Sequence, residues 1–523
     1  MKFKNITKLM LAFVLLFVVT VTLAACDNDD NNNDSNVTNE NNNVDDNNGG
    51  SDMPSPDGEP HNITMAFLGR EMADQQMVWD AINELTLREL NMTFTPILMG
   101  FGEYQDRLRL MLTGGSDLDI LPIHFSQVNS YVNQGQIVDM SELIRTYGQG
   151  IIDFMGEEVA LSGDINGFLY GIPSNKESAS NSGIVMRTDI LEELGIEVPD
   201  LITYHDLTPI FEAVQEAHPH MDMIAGVNIV TDIQYADGLL DSFGVLLHNG
   251  QSREVVNLFE SDWYTTRVEL VSDWYQRGFV LMDAATTTQH QRDLFANGQI
   301  FSYISPIKPG FEVHVYNETG IEVTTAFIGT DEGEVINNLW TNSVNFINWG
   351  IAQNTSDVSK AMQFLNFAYT NAEFNNLLNF GIEGVHYVRV EGSDVLVTFP
   401  EGVDAGSSPY HLNMGWHLPN QFLGHIWYGL PENRWELYQE FNDSAQRSLA
   451  FGFIYDSSSV ATELAALANV TAQFRASLET GTAGANWEAT LAEFNQALMD
   501  AGLQRVMDEK QSQLDAWFEY NDN

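Results

Sequence analysis

Four lysines stand beyond residue 60 of this 523-residue chain, Lys176, Lys308, Lys360 and Lys510, and none follows a glycine, so no Walker A phosphate loop exists. None of the twelve histidines is followed by Glu, which removes the HExxH zinc-protease pattern, and no serine stands in GxSxG, which removes the nucleophile elbow. Cys26 is the single cysteine, so the folded part holds neither an internal disulfide nor a thiolate metal site. The 73 Asp and Glu offer too many carboxylates to single out a catalytic pair. Glycoside hydrolysis by two such groups stays open as an alternative, although a solvated acidic surface is their commoner use.

A formal charge of -51 excludes nucleic acid as a natural partner, because that requires a cationic surface that releases counterions. It also disfavours anionic ligands unless cationic side chains are locally concentrated. Excess acid suits salty or alkaline surroundings, and ordinary solubility is the plainer reading.

The elements that must position any site begin after two dispensable segments. MKFKNITKLMLAFVLLFVVTVTLAAC places three lysines before a charge-free apolar run that closes on small residues, the architecture of a secretory signal peptide over residues 1–25. Leu23-Ala24-Ala25-Cys26 resembles a bacterial lipobox, which predicts cleavage before Cys26 and lipidation of its thiol. A membrane-spanning anchor competes, since Leu9 to Cys26 is almost long enough to cross a bilayer. Loss of the leader's three lysines takes the charge from -51 to -54. Residues 26–60 read as a tether: after Cys26 come ten acidic residues, no Lys or Arg, and only Val37, Val44 and Met53 as aliphatic side chains. As a coil it spans about 30 to 35 Å, with charge repulsion stretching it further.

From His61 to Asn523 the chain has 463 residues, too many for one core, so at least two lobes are expected. NITMAFLG reads as a strand, and DQQMVWDAINELTLREL as a helix with Asp74 at its cap and Val78, Ala81, Ile82 and Leu85 on one face. MTFTPILM and LDILPI are further strands separated by the helix GEYQDRLRLMLT. This alternation predicts an α/β protein with a mostly parallel sheet.

Several longer segments carry a family resemblance: YQDRLRLMLTGGSDLDILPIHFSQVNSYVNQGQIVDMSELI, INGFLYGIPSNKESASNSGIVMRTDILEELGIEVPDLITYHDL, and DWYQRGFVLMDAATTTQHQRDLFANGQIFSYISPIKPG. NFINWGIAQNTSDVSKAMQFLNFAYTNAEFNNLLNFGIEGVHYV follows, in which Gly381-Ile382-Glu383-Gly384 before His386-Tyr387 is the most specific piece. The last two segments are GFIYDSSSVATELAALANVTAQFRASLETG and WEATLAEFNQALMDAGLQRVMDEKQSQLDAW. In this order they resemble the family 1 extracellular solute-binding proteins of ABC importers, in the large lipoprotein branch similar to LipO and LplA that closes with a helical domain of unknown function.

The resemblance implies a two-lobed, periplasmic-binding-protein-like α/β fold of type II, with crossing strands between the lobes and a helical C-terminal region. It assigns 61–172 and about 318–390 to the first lobe, and 173–317 and about 391–523 to the second, with the helical domain from about 450. It further implies a bacterial lipoprotein on the extracytoplasmic face of the cell membrane. That protein would be a monomer without cofactor or metal, not an enzyme, whose partners are a carbohydrate, permease subunits and a separate ATPase. A secreted polysaccharide hydrolase and a receptor for a non-sugar solute such as a peptide are the competing readings.

A sugar offers apolar C–H faces and a ring of hydroxyls, so its site needs aromatic platforms and polar side chains. The candidate platforms are Trp416, Trp340, Phe125, Trp427 and Tyr235, each with a core role as its plainer reading, and Trp416 stands first because it sits in a polar loop flanked by Gly and Pro. The expected hydroxyl partners are His124, Ser126, Asn175, Lys176, Glu177, Asp237 and Lys308. Lys176 and Lys308 fall on loops expected to face the cleft from opposite sides, which suits an acidic oligosaccharide; pairing with nearby acids is the alternative. Family members often carry a Trp and an Asp-Arg pair in the first-lobe loop, where this chain has Ile123, Ser126 and Gln127. His386 and Tyr387 read as a fixed turn, and Arg187 with Asp189 as structural.

Overall fold

Strand His61–Leu68 has six successive buried residues from Ile63, the pattern of a strand covered on both faces. It pairs in parallel with Met92–Met99, in register from His61↔Met92 to Leu68↔Met99, and with Ile120–His124 at Met65↔Ile120. The computed structural model describes residues 58–521 apart from 101–102, 227–235, 288 and 331–336, with the backbone alone at 317–318. The expected leader, Cys26 and nearly all of the expected tether lie outside the described residues.

Helix Gln75–Leu90 links the first two strands and buries Val78, Trp79, Ile82 and Leu85, so Trp79 joins the expected face while Ala81 sits at its margin. Asp74 makes no side-chain cap; its Oδ2 lies 3.4 Å from His386 Nε2 instead. The helix stops at Asn91, whose left-handed φ of 52° an Asn side chain tolerates.

Strand Ile347–Ile351 completes the sheet, antiparallel to both Ile120–His124 and Ile172–Pro173. Four of the five strands therefore run the same way, as the mostly parallel expectation has it, and only Ile347–Ile351 is reversed. Ile347 pairs with His124, so the returning chain enters at the end where Ile120–His124 finishes and must run the opposite way.

A second five-stranded sheet repeats this arrangement. Gly183–Arg187 lies at its centre, antiparallel to Ile300–Ser305 and to Val323–Ile328, with Asp222–Ile224 and Leu201–Ile202 at the edges. Val323–Ile328, assigned by sequence to the first lobe, thus belongs to the second. Conversely Tyr410, Leu412 and Leu418, assigned to the second lobe, are buried in the first core beside Phe364 and Leu365. Lobe membership follows the buried face a segment completes, and that face is built by residues distant in sequence. Bridges Ser180↔Asn338 and Asn338↔Gln446 set three crossings of the chain side by side between the sheets.

Helices Ala461–Glu479, Trp487–Asp500 and Leu503–Asn521 close the chain and share one continuous core with helix Asp262–Gln276 of the second lobe. Phe494 packs between Phe259 at 4.9 Å and Phe474 at 5.6 Å between ring centroids. The chain passes so close to that helix at Gly481, with φ of 75°, that a Cβ there would lie 2.2 Å from the Val271 carbonyl oxygen. The Gly381 turn is equally specific: a Cβ would meet His386 Nδ1 at 2.5 Å, and that nitrogen accepts from the Ile382 N–H at 2.9 Å. No helix among the described residues is long and apolar enough to cross a membrane.

Candidate functional site

The first crossing, residues 174–181, is held by asparagine side chains, whose paired donor and acceptor match a peptide group. Asn175 Nδ2 donates to Asn420 Oδ1 at 3.1 Å, and Asn442 Oδ1 accepts from the Ser178 and Ala179 N–H groups at 2.8 and 3.0 Å. Asn442 Nδ2 donates to the Lys176 carbonyl at 2.9 Å, while Asn181 makes two 2.8 Å bonds to the main chain of Ile307. The crossing and the loop after Ile300–Ser305 are thereby fixed against each other.

These two segments line a cavity of about 330 Å³ that also touches Arg292, Ser343, Phe346 and Phe441. Glu177, 8% exposed, accepts from Lys308 Nζ at 2.5 Å through Oε1, while Lys176 Nζ donates to the Glu177 carbonyl at 2.6 Å. Burial pushes the Glu177 carboxyl up, but Lys308 and Lys176 outweigh it and hold the group below the ordinary carboxylate value, so it is ionised. Burial and the Lys308 charge together draw Lys176 down despite Glu177. Lys308 moves up, since Glu177 more than offsets its burial. Among the described residues lining this cavity Glu177 is the one carboxylate.

Across from the lysines the first lobe supplies rings. Phe346, 39% exposed, precedes Ile347–Ile351 and lies 4.9 Å from His124, 6.0 Å from Phe125 and 6.3 Å from Trp416. His124 lies tilted against Phe125 at 4.4 Å between ring centroids, and its Nδ1 lies 2.8 Å from the hydroxyl of exposed Ser126. Burial lowers the His124 imidazole, favouring the neutral form. Trp416 is positioned by its neighbour: fully buried His417 accepts from the Leu68 N–H at 3.0 Å, and its carbonyl accepts from Ser174 Oγ at 3.1 Å. Burial pushes His417 down to about 3, which keeps Nε2 an acceptor.

Of the residues expected from sequence, Lys176, Glu177 and Lys308 line the cavity, and His124, Phe125 and Trp416 join its aromatic side through Phe346. Asn175 serves the crossing. Asp237 is only 2% exposed and bonds the Leu239 N–H at 3.1 Å; burial pushes its carboxyl up, and Lys510 and Ser448 are its neighbours in place of the cavity. Trp340 follows the paired crossing strand Asn338–Leu339, and its Nε1 is buried without a partner. Trp427 stacks on Phe399 at 4.4 Å in a separate small core. Tyr235 lies outside the described residues. Sequence reasoning missed Phe346 and Arg292, and missed Asn181 and Asn442 as clamps. Phe346 had one local signal, an aromatic residue in the polar run TNSVNF immediately before a buried strand.

Known proteins share this fold. The N-glycan transport solute binding protein (NgtS) from Streptococcus pneumoniae superposes with a TM-score of 0.76 over 88% of this chain and 99% of that one, at 21% identity. The fold is that of the solute-binding proteins. An extracellular solute-binding protein from Bifidobacterium longum subsp. infantis superposes at 0.59 over 88% of this chain and 99% of that one, with 13% identity. In sequence, a carbohydrate ABC transporter substrate-binding protein of Streptococcus pneumoniae serotype 4 (strain ATCC BAA-334 / TIGR4) is 24% identical over 429 residues, 80% of this chain and 83% of that protein. Residues 449–519 match the model of the domain of unknown function DUF3502, which covers the closing helices of this solute-binding fold.

Proposed function

We propose that the chain is the substrate-binding component of an ABC importer that captures an oligosaccharide between its lobes and delivers it to a membrane permease. The observation that carries the reading is the cavity itself. Rings from the first lobe face polar and charged side chains from the crossing and the second lobe, the pairing that sugar C–H faces and hydroxyls require. The relatives support it: one is a carbohydrate ABC transporter substrate-binding protein, and NgtS is known in complex with Man1GlcNAc and with Man5GlcNAc. Ligand contacts that need both lobes favour a closed arrangement, and the permease would read that shape. We take His124, Phe125, Ser126, Lys176, Glu177, Lys308 and Trp416 as contacts, with Phe346 added. Glu177 supplies countercharge to Lys308, which offsets one of the cationic charges at the cavity.

Lipidation at Cys26 would hold the protein on the extracytoplasmic face, where a lone receptor monomer serves a permease with its separate ATPase. A hydrolase acting through paired carboxyl groups would need a second one beside Glu177, whose charge is already engaged by Lys308. A thermal-shift screen against neutral and acidic oligosaccharides, amino sugars and short peptides tests the reading. Ligand at a hundred times its dissociation constant adds about 2.7 kcal/mol, which raises the melting temperature by a few degrees. A glycan that stabilises the protein and is recovered intact is the expected result. A response confined to peptides, or fragmentation of the glycan, would overturn it.

A further inference from the structure

A second opening, of about 460 Å³, lies between the first lobe and the closing helical domain, on walls from Asp164, Asn166, Asp456, Gln513, Trp517 and Tyr520. Both walls are fixed. On the first lobe, Asp164–Ile165 and Phe168–Leu169 pair across a turn in which Asn166 and Gly167 both take left-handed φ, 54° and 88°, the Asn-Gly pattern of a tight hairpin. Asp164 Oδ1 closes the turn by accepting from the Gly167 N–H at 2.8 Å. On the helical domain, Gln513 accepts from the Asp456 N–H at 2.9 Å and donates to the Asp456 carbonyl at 2.8 Å, which locks the loop onto helix Leu503–Asn521. Trp517 leans on Phe453 at 6.1 Å, and Tyr520 is 75% exposed.

The chemistry is that of sugar recognition without charge selection: indole and phenol rings for C–H faces, carboxylates and amides for hydroxyls, and no Lys or Arg among the described lining residues. Phe453 and Ile454 also bound a narrow void of about 10 Å³ together with Phe125, Asn345 and Tyr455, whose hydroxyl is buried without a protein partner. Phe125 in turn stands 6.0 Å from Phe346 of the first cavity. Phe346, Phe125 and Phe453 thus lie in succession between the two openings.

We infer that the C-terminal helical domain forms a second subsite for the distal units of a neutral oligosaccharide, built on Trp517, Tyr520, Asp164, Asp456 and Gln513. This rests on the carbohydrate reading above and adds that the second opening selects for glycan length. The test is calorimetric titration of the whole protein with neutral gluco- and manno-oligosaccharides of two to six units, alongside Trp517→Ala and Tyr520→Ala. The unaltered protein should bind six units more tightly than two. Each variant should cut that length preference about tenfold, the loss of one stacked ring. Tyr520 is exposed enough for its removal to leave the fold intact, so it tests the subsite even where Trp517→Ala loosens the loop. Length preference undiminished in Tyr520→Ala, or affinity independent of length in the unaltered protein, overturns the subsite and leaves the receptor standing. No response to any glycan overturns the carbohydrate reading and the subsite with it.

Discussion

Glu177, Lys308 and His417 show how much of the site is electrostatic scaffolding. Removing Lys308 alone leaves a buried carboxylate without its partner, so Lys308→Ala should destabilise by about 2 kcal/mol in urea unfolding, and more than Lys308→Ala with Glu177→Ala together. The Glu177 carboxyl is held below its ordinary 4.5, so its contribution is full above that value and fades as pH falls below it toward the folded value. His417 adds a second acid-sensitive element. Its imidazole titrates near 3 when folded and 6.5 when not, so the unfolded chain binds more protons between those values and stability rises with pH across the interval. Moving from pH 6.5 to 4.5 should cost about 2 kcal/mol at this residue, and His417→Gln, which retains an acceptor for Leu68, should flatten that part of the profile. From the sequence, scarce lysines made Lys176 and Lys308 stand out. Nothing local marked Glu177 as the bridge between them, or Asp237 as buried beside Lys510, because both facts depend on contacts between residues far apart in sequence.

Among the elements, strands His61–Leu68, Met92–Met99 and Ile120–His124 and helix Gln75–Leu90 were legible because their apolar periodicity is local. The one reversed strand of the first sheet was not legible, since the direction of Ile347–Ile351 is set by where the chain re-enters. Nor was the return of Tyr410 to Leu418 to the first core: His417 reaches Leu68 across 349 positions of sequence. The closing helices share their core with the second lobe, which makes them part of its cooperative unit. Phe494→Ala should therefore cost about 3–5 kcal/mol, with a single transition by far- and near-ultraviolet circular dichroism. Two separated transitions would show the helical domain folding independently. Gly481→Ala should destabilise by at least about 1–3 kcal/mol, from the left-handed backbone and the close Val271 carbonyl together.

At the scale of the whole molecule, two sheets joined by three crossings set aromatic side chains on one lobe against a lysine-bearing wall on the other. Ligand binding there should join the lobes through contacts neither makes alone. Hydrogen exchange with and without a glycan that stabilises the protein reads this directly. Protection is expected on both sides of the cleft at once, in residues 124–127 and 343–346 of the first side and in 176–180 and 305–311 of the second. Protection confined to one lobe, or falling on surfaces away from these segments, would contradict capture between the lobes.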